Sequence, residues 1–175
     1  VCCPSGNFGN ICAGIVAKKL GLPISHFVAA TNANDTVPQF LLKGIYEAKP
    51  SIATISNAMD VGNPSNFVRI QEMYNNDLKE FSNDFSSYTY SDEATKEAMK
   101  SIYNHNGYIA EPHGAVGYLG LKKELEKSPN AIGVFLETAH PIKFLDIVEP
   151  VLKVSLPIPT QIESVLGKEK KSIKI

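Results

Sequence analysis

Long apolar runs are missing from this chain. No stretch approaches the ~20 residues that a bilayer-spanning helix needs, and no segment has the layout of a signal peptide. An excess of one charge is missing too. Seventeen Lys and Arg face eighteen Asp and Glu, a net charge of −1, so neither nucleic acid nor an anionic membrane is an expected partner. Cysteine is scarce: Cys2, Cys3 and Cys12 form an odd set without metal-ligand spacing. Cys2 and Cys3, adjacent on a strand, would point to opposite faces. Buried reduced thiols in a cytoplasmic protein are the expectation, rather than a disulfide, a zinc site or a nucleophile. Both common nucleotide signatures are lacking as well. There is no G-x-x-x-x-G-K-[ST], and no G-x-G-x-x-G followed by an acidic residue about 20 positions on, which disfavours a nucleoside triphosphate or a dinucleotide.

What is present is an ordinary globular composition, 43% hydrophobic and 20% charged over 175 residues, with one conspicuous loop. Ser5-Gly6-Asn7-Phe8-Gly9-Asn10 lies between an apolar segment ending at Pro4 and a helix-like segment opening at Ile11. Strand, glycine-punctuated loop and helix, in that order, make an anion cradle. Gly6 and Gly9 are expected to take positive φ and let the backbone approach a ligand, with Asn10 as the helix N-cap. The free N–H groups of the first turn then favour a phosphate. An ordinary capped turn is the competing reading of the loop alone. The helix that follows is apolar on nearly every face and should lie buried against a sheet.

Further along, strands are expected at Ile24–Thr31, Ser87–Tyr90, Tyr108–Ala110 and Ala131–Glu137, the last as a core strand. Helices are expected at Ile11–Leu20, Val37–Lys43 before Gly44, Asn63–Tyr74, Ser91 to about Gly107, Pro112–Ser128 and from Pro141 to Val148. Pro157 and Pro159 mark a loop before a terminal amphipathic segment, and Lys168-Glu169-Lys170-Lys171 reads as a solvated tail. Alternating strands and helices make the chain α/β, with a mostly parallel sheet flanked by helices. Val1 is not a natural initiator, and a parallel strand carrying such a loop needs neighbours from preceding sequence. The chain therefore reads as the C-terminal portion of a longer protein.

Four polar segments stand out: Ser5–Asn10, Ala30–Pro38, Ser56–Asn66, and Glu111–Gly114 taken with Glu137–Pro141. Most follow an expected strand, where open α/β sheets place their ligands. Ser5–Asn10, Ala30–Pro38, Ser56–Asn66, Glu111–Gly117 and Glu137–Phe144 make five motifs in one order, and together they resemble the threonine synthase family in its long bacterial and fungal form. The likeness covers essentially the whole chain, thinning between Asn75 and Ser91 and after Pro150.

That resemblance implies a fold-type-II, tryptophan synthase β-like architecture. It implies pyridoxal 5′-phosphate as cofactor, and conversion of O-phospho-L-homoserine and water to L-threonine and phosphate. Residues 1–175 would be the C-terminal part of the cofactor-binding catalytic domain. The Schiff-base lysine would lie upstream, so that no catalytic residue falls within this chain and the chain alone is inactive. Ser5, Gly6, Asn7, Phe8, Gly9 and Asn10 would hold the cofactor phosphate, Glu111 would stand beside the ring, and Thr138 would meet the pyridine nitrogen. Asn10, Asp60 and His113 would face substrate. His113 has a competing role as a packing residue at a helix start, and Asp60 one as a turn residue. Partners would be O-phosphohomoserine, phosphate and the N-terminal part of the same protein, with no nucleic acid and no membrane. Another fold-type-II enzyme, threonine dehydratase-like, or a non-catalytic phosphometabolite- or partner-binding module are the alternatives.

Overall fold

In the computed structural model, residues 1–166 and 168–169 are described. Part of the expected tail, Lys170 and Lys171, lies outside them. Three short strands build the sheet: β1 (Cys2–Pro4), β2 (Phe27–Thr31) and β3 (Phe85–Thr89). They run parallel in the order β1-β2-β3, with Cys3 opposite Ala29 and Ala29 opposite Ser87. All five residues of β2 are buried, as a central parallel strand covered on both faces requires. Cys2 and Cys3 enter different core clusters on the two faces. Burial pushes the Cys2 thiol up to about 12 and raises that of Cys3, so both are inert.

The described residues form eight helices: α1 (Gly9–Lys19), α2 (Thr36–Lys43), α3 (Phe67–Met73), α4 (Leu78–Asp84), α5 (Asp92–Asn106), α6 (Pro112–Leu125), α7 (Leu145–Leu152) and α8 (Thr160–Leu166). Short 3₁₀ turns occupy Asn57–Met59 and Pro141–Phe144. One face of the sheet is packed by an aromatic cluster with Phe67 at its centre. Its ring meets Phe8, Phe40, Tyr46 and Phe81 at centroid distances of 5.6, 5.5, 5.7 and 5.9 Å. The other face is covered by α6. Helix and strand approach closely there because Gly120 leaves room: a Cβ at that position would lie 2.7 Å from the Cβ of Ala30 and 3.0 Å from the Cys2 sulfur.

Several expectations need correction. Neither Gly6 nor Gly9 takes positive φ; the left-handed residue is Phe8, at φ 60°. Phe8 also occupies the N-cap position in place of Asn10. Its buried ring, 3% exposed, is held in the aromatic cluster, and that packing offsets a backbone conformation costing ~1–2 kcal/mol outside glycine. Helix α1 is buried only through Ile11 and Ile15, while Val16 is 42% exposed. Only one stripe of it meets the sheet. Residues Tyr108–Ala110 form no strand.

The segment Ala131–Glu137 is not a core strand either. A single parallel bridge joins Phe135 to Cys2, with Cys2 N–H donating to the Val134 carbonyl (2.7 Å) and Leu136 N–H to the Cys2 carbonyl (3.0 Å). One edge of the segment is thus paired; Ile132 is 97% and Val134 51% exposed. Helix α4 was not anticipated. Asp77 caps it, accepting from the N–H groups of Lys79 (2.8 Å) and Glu80 (3.2 Å).

Candidate functional site

The parallel register places the polar segments. Cys2 pairs with Phe135, so three residues further along the two segments stand Ser5 and Thr138, at the same end of the sheet. Pro4 pairs with Ala30, and Thr31 with Thr89, which brings Asn32 and Tyr90 to that end as well. Helix α6 runs the opposite way. A Cβ on Gly117 would lie 3.2 Å from Pro4 and one on Gly120 3.0 Å from the Cys2 sulfur, so the N-terminus of α6 sits over the strand ends. Loops after the strands and two helix N-termini therefore converge at the carboxyl edge, where open α/β sheets bind ligands.

The two helix starts differ in what they leave free. At α6, Glu111 caps its own helix: Oε2 accepts from His113 N–H (3.0 Å) and Oε1 from Gly114 N–H (2.9 Å). At α1 no side chain caps the N–H groups, and the first turn has no acidic residue. The first backbone bond there is Cys12 N–H to the Phe8 carbonyl (2.9 Å). The N–H groups of Gly9, Asn10 and Ile11 precede it and have no intrahelical acceptor. Left-handed Phe8 followed by helical Gly9 curls successive N–H groups into an anion-binding concavity.

The loop before α1 is braced by neighbours. Ser5 is buried; its N–H donates to the Ala30 carbonyl (2.8 Å) and its Oγ to the Cys3 carbonyl (2.9 Å). Asn7 Oδ1 accepts from the Ser65 N–H (2.6 Å) and hydroxyl (3.0 Å), and its carbonyl accepts from Asn66 Nδ2 (3.0 Å). Gly6 lies on the 3₁₀ turn, where a Cβ would come 2.6 Å from the Met59 Cα. Its close approach is to protein backbone.

Asp60 is also engaged internally. Its Oδ1 accepts from Asn32 Nδ2 (2.8 Å), Thr54 Oγ1 (2.7 Å) and Asn34 Nδ2 (3.2 Å), and its Oδ2 accepts from Thr54 N–H (3.0 Å). This network fastens the stretch from Ile52 to Gly62 onto the end of β2. Asp60→Ala takes away the acceptor shared by Asn32, Asn34 and Thr54, and we expect a loss of about 1–3 kcal/mol in urea unfolding.

Thr138 borders a cleft of about 880 Å3 whose walls include Tyr108, Glu137, His140, Lys143 and Pro157, a size suited to a small ligand. Ser5–Asn10 stands at the same sheet end but does not line this cleft. Thr138 and Asn10 are exposed, whereas Glu111 and His113 are buried, 0% and 3% exposed. Glu111 Oε2 lies 2.5 Å from His113 Nδ1, and the imidazole packs against Phe144 at a centroid distance of 4.8 Å. Among the described residues, His113 Nε2 is buried without a partner.

A model of the pyridoxal-phosphate dependent enzymes matches residues 1–136. The chain belongs to that family. A second model, the C-terminal part of threonine synthase, matches residues 114–175. The threonine synthase of Haemophilus influenzae is 47% identical over 160 residues, covering 91% of this chain and 37% of that protein. Among solved structures, threonine synthase from Escherichia coli superposes with a TM-score of 0.85 at 43% identity, over 93% of this chain and 37% of that one. The pyridoxal phosphate-bound threonine synthase from Brucella melitensis gives 0.84 at 30% identity, over 97% and 41%. The chain thus spans a little over a third of the length of the relatives it matches. The fold-type-II architecture implied by the motifs is the fold this chain shares with those threonine synthases. No helix among the described residues is long and apolar enough to cross a membrane.

Sequence reading passed over one residue at this site. Glu137 opens the motif Glu137–Phe144 with no role implied by the resemblance, yet its carboxylate lies against Gly114 and lines the cleft. The available signal was a charge at the end of an apolar run, directly before Thr138.

Proposed function

We propose that this chain is the C-terminal part of the catalytic domain of a cytoplasmic threonine synthase, which converts O-phospho-L-homoserine and water to L-threonine and phosphate. The observation that carries the reading is the uncapped first turn of α1 sharing a sheet end with Thr138. The lysine that links the cofactor is assigned to the part of the relatives' length that these residues do not match, and that part completes the domain as partner.

The residues present fit pyridoxal phosphate. The N–H groups at Gly9, Asn10 and Ile11 suit its phosphate, with the positive end of α1 behind them. The Thr138 hydroxyl suits the ring nitrogen, and as a neutral partner it leaves that nitrogen unprotonated where a carboxylate would hold a proton there. When bound, the cofactor supplies an electron sink for the α- and β-carbons of an amino-acid substrate. Asn7 and Phe8 keep the loop in shape from either side, one through Ser65 and the other through the aromatic cluster. Glu111 holds the start of α6 beside the ring, and His113 and Asn10 are assigned to the substrate side. Asp60 serves them by fixing the stretch from Ile52 to Gly62.

The test uses the full-length protein. Phosphate released from O-phosphohomoserine with matching threonine supports the reading. Ammonia from threonine points to a dehydratase-type relative, and a protein that takes up no pyridoxal phosphate points to a binding module. Thr138→Val, which removes one hydrogen bond and keeps the shape, is expected to weaken cofactor binding about tenfold, the worth of roughly 1.4 kcal/mol. Titration by visible absorbance measures it, and Thr138→Ser should restore most of the loss.

A further inference from the structure

We propose that Glu111 is a positioning residue that fixes His113 in the Nδ1–H tautomer, so that His113 Nε2 acts as the acceptor for a hydroxyl or N–H donor on the substrate. The identity of that substrate rests on the function proposed above; the tautomer does not.

Three contacts decide which atom carries the hydrogen. Glu111 Oε1 accepts from the Gly114 N–H at 2.9 Å, and Oε2 accepts from the His113 N–H at 3.0 Å. His113 Nδ1 lies 2.5 Å from the same Oε2. A carboxyl that receives two N–H groups at the positive end of a helix is an acceptor, so the hydrogen in the third contact is the imidazole's. The neutral ring then has its lone pair on Nε2. Backbone and side chain of His113 thus bind one oxygen, which sets the plane of the ring as well as its tautomer. Glu111 is 0% and His113 3% exposed, so solvent does not compete for the pair.

Nε2 is the atom left over. It is buried and has no hydrogen-bond partner among the described residues. Buried polar atoms are nearly always paired, and an orphan calls for a use. Packing alone would be served by an apolar side chain, with no nitrogen to satisfy. The imidazole is covered by Phe144, at a centroid distance of 4.8 Å. Phe144 ends the 3₁₀ turn Pro141–Phe144, and the other three residues of that turn line the cleft bordered by Thr138. The turn therefore meets the imidazole through one residue and the cleft through the rest, and a ligand that shifts it brings a donor to Nε2. On the other flank, Gly114 follows His113 in the chain and has the cleft-lining Glu137 carboxylate against it. His113 is bracketed by two segments of the cleft wall.

The test is made on the full-length protein in two measurements. Nitrogen NMR of histidine-labelled, cofactor-free protein at about pH 8, above the ordinary histidine range, reads the tautomer. Nδ1 is expected to carry the hydrogen and Nε2 none, the reverse of the form that a solvated imidazole favours. A hydrogen on Nε2, alone or together with one on Nδ1, overturns the proposal.

His113→Asn then separates position from function. The asparagine amide can still donate to Glu111 where Nδ1 did, but the acceptor at Nε2 is gone. The kcat for phosphate release from O-phosphohomoserine should fall at least tenfold, with uptake of pyridoxal phosphate unchanged. A histidine that only packs at the helix start would be replaced without loss of kcat, and that result overturns the acceptor role. If the unsubstituted protein releases no phosphate, the threonine synthase reading fails, and the tautomer seen by NMR decides this proposal by itself.

Discussion

Replacing Phe67 with alanine is expected to lower the free energy of unfolding by about 3–5 kcal/mol, the range for deleting a fully buried aromatic ring. Phe67 has no exposed surface and is shared by rings from four parts of the chain. Phe8 comes from the loop before α1, Phe40 from α2, Tyr46 from the segment after it, and Phe81 from α4. Collapse around the vacancy would require four separate elements to move together. The loss should therefore fall in the upper part of that range. Urea unfolding measures it, and Val68→Ala provides the contrast. Val68 is next in sequence but 56% exposed, and its truncation should cost less than about 0.5 kcal/mol beyond propensity. A loss below about 1 kcal/mol for Phe67→Ala would mean that the rings are not packed as described. The effect reaches the site as well. Phe8 keeps its left-handed backbone because its ring is held, so slack in the cluster loosens the turn that exposes the first N–H groups of α1.

Elements bounded by chemistry at both ends were legible from residues alone. Helix α5 begins where Ser91 accepts from the Ala94 N–H (3.3 Å) and ends at Gly107 with φ 65°. Helix α6 opens on Pro112, and α2 stops at Gly44 with φ 74°. These signals are local: the groups that make them lie in the element or directly beside it. Features decided by tertiary partners were not legible. The apolar run of Ala131–Glu137 is that of a strand, but a core strand needs ladder bonds on both edges, and among the described residues a single bridge to β1 is all that pairs it. Helix α4 is seven residues long and buries only Phe81, too little for a periodic pattern to register.

At the site, residue type was legible and residue role was not. Asparagine and aspartate serve turns and ligands through the same groups. Only coordinates could show that both oxygens of Asp60 are taken by Asn32, Asn34 and Thr54. Likewise, an aromatic residue in the left-handed region runs against every local preference. Phe8 is there because its side chain gains more in the core than its backbone loses. The seat of Glu137 on Gly114 joins residues far apart in sequence, and no motif announces it.

The two glycines of the loop, equivalent in the sequence reading, should separate sharply in experiment. Alanine at Gly6 would place its Cβ 2.6 Å from the Met59 Cα and 3.1 Å from the Ala58 carbonyl oxygen. Both atoms are backbone, and the turn that carries them is held by Ser56, Thr54 and Asp60, so the turn resists. Removing a glycine usually gains ~0.4–1 kcal/mol through the unfolded chain. Overpacking at such a contact costs ~1–3 kcal/mol, so the balance is a net loss in urea unfolding. The part able to yield is the loop Ser5–Asn10, and its movement would shift the N–H groups of α1 relative to Thr138. Cofactor affinity should therefore fall by at least tenfold in absorbance titration of the full-length protein. At Gly9 the nearest atom to an added Cβ is Asn66 Nδ2 at 3.5 Å, an ordinary contact, and φ is not positive. Gly9→Ala should leave stability within about 0.5 kcal/mol of the parent. Equal tolerance of alanine at both positions would show that the loop does not rest on the Asn57–Met59 turn, and the argument that the fold presents these amides in one fixed array would fail with it.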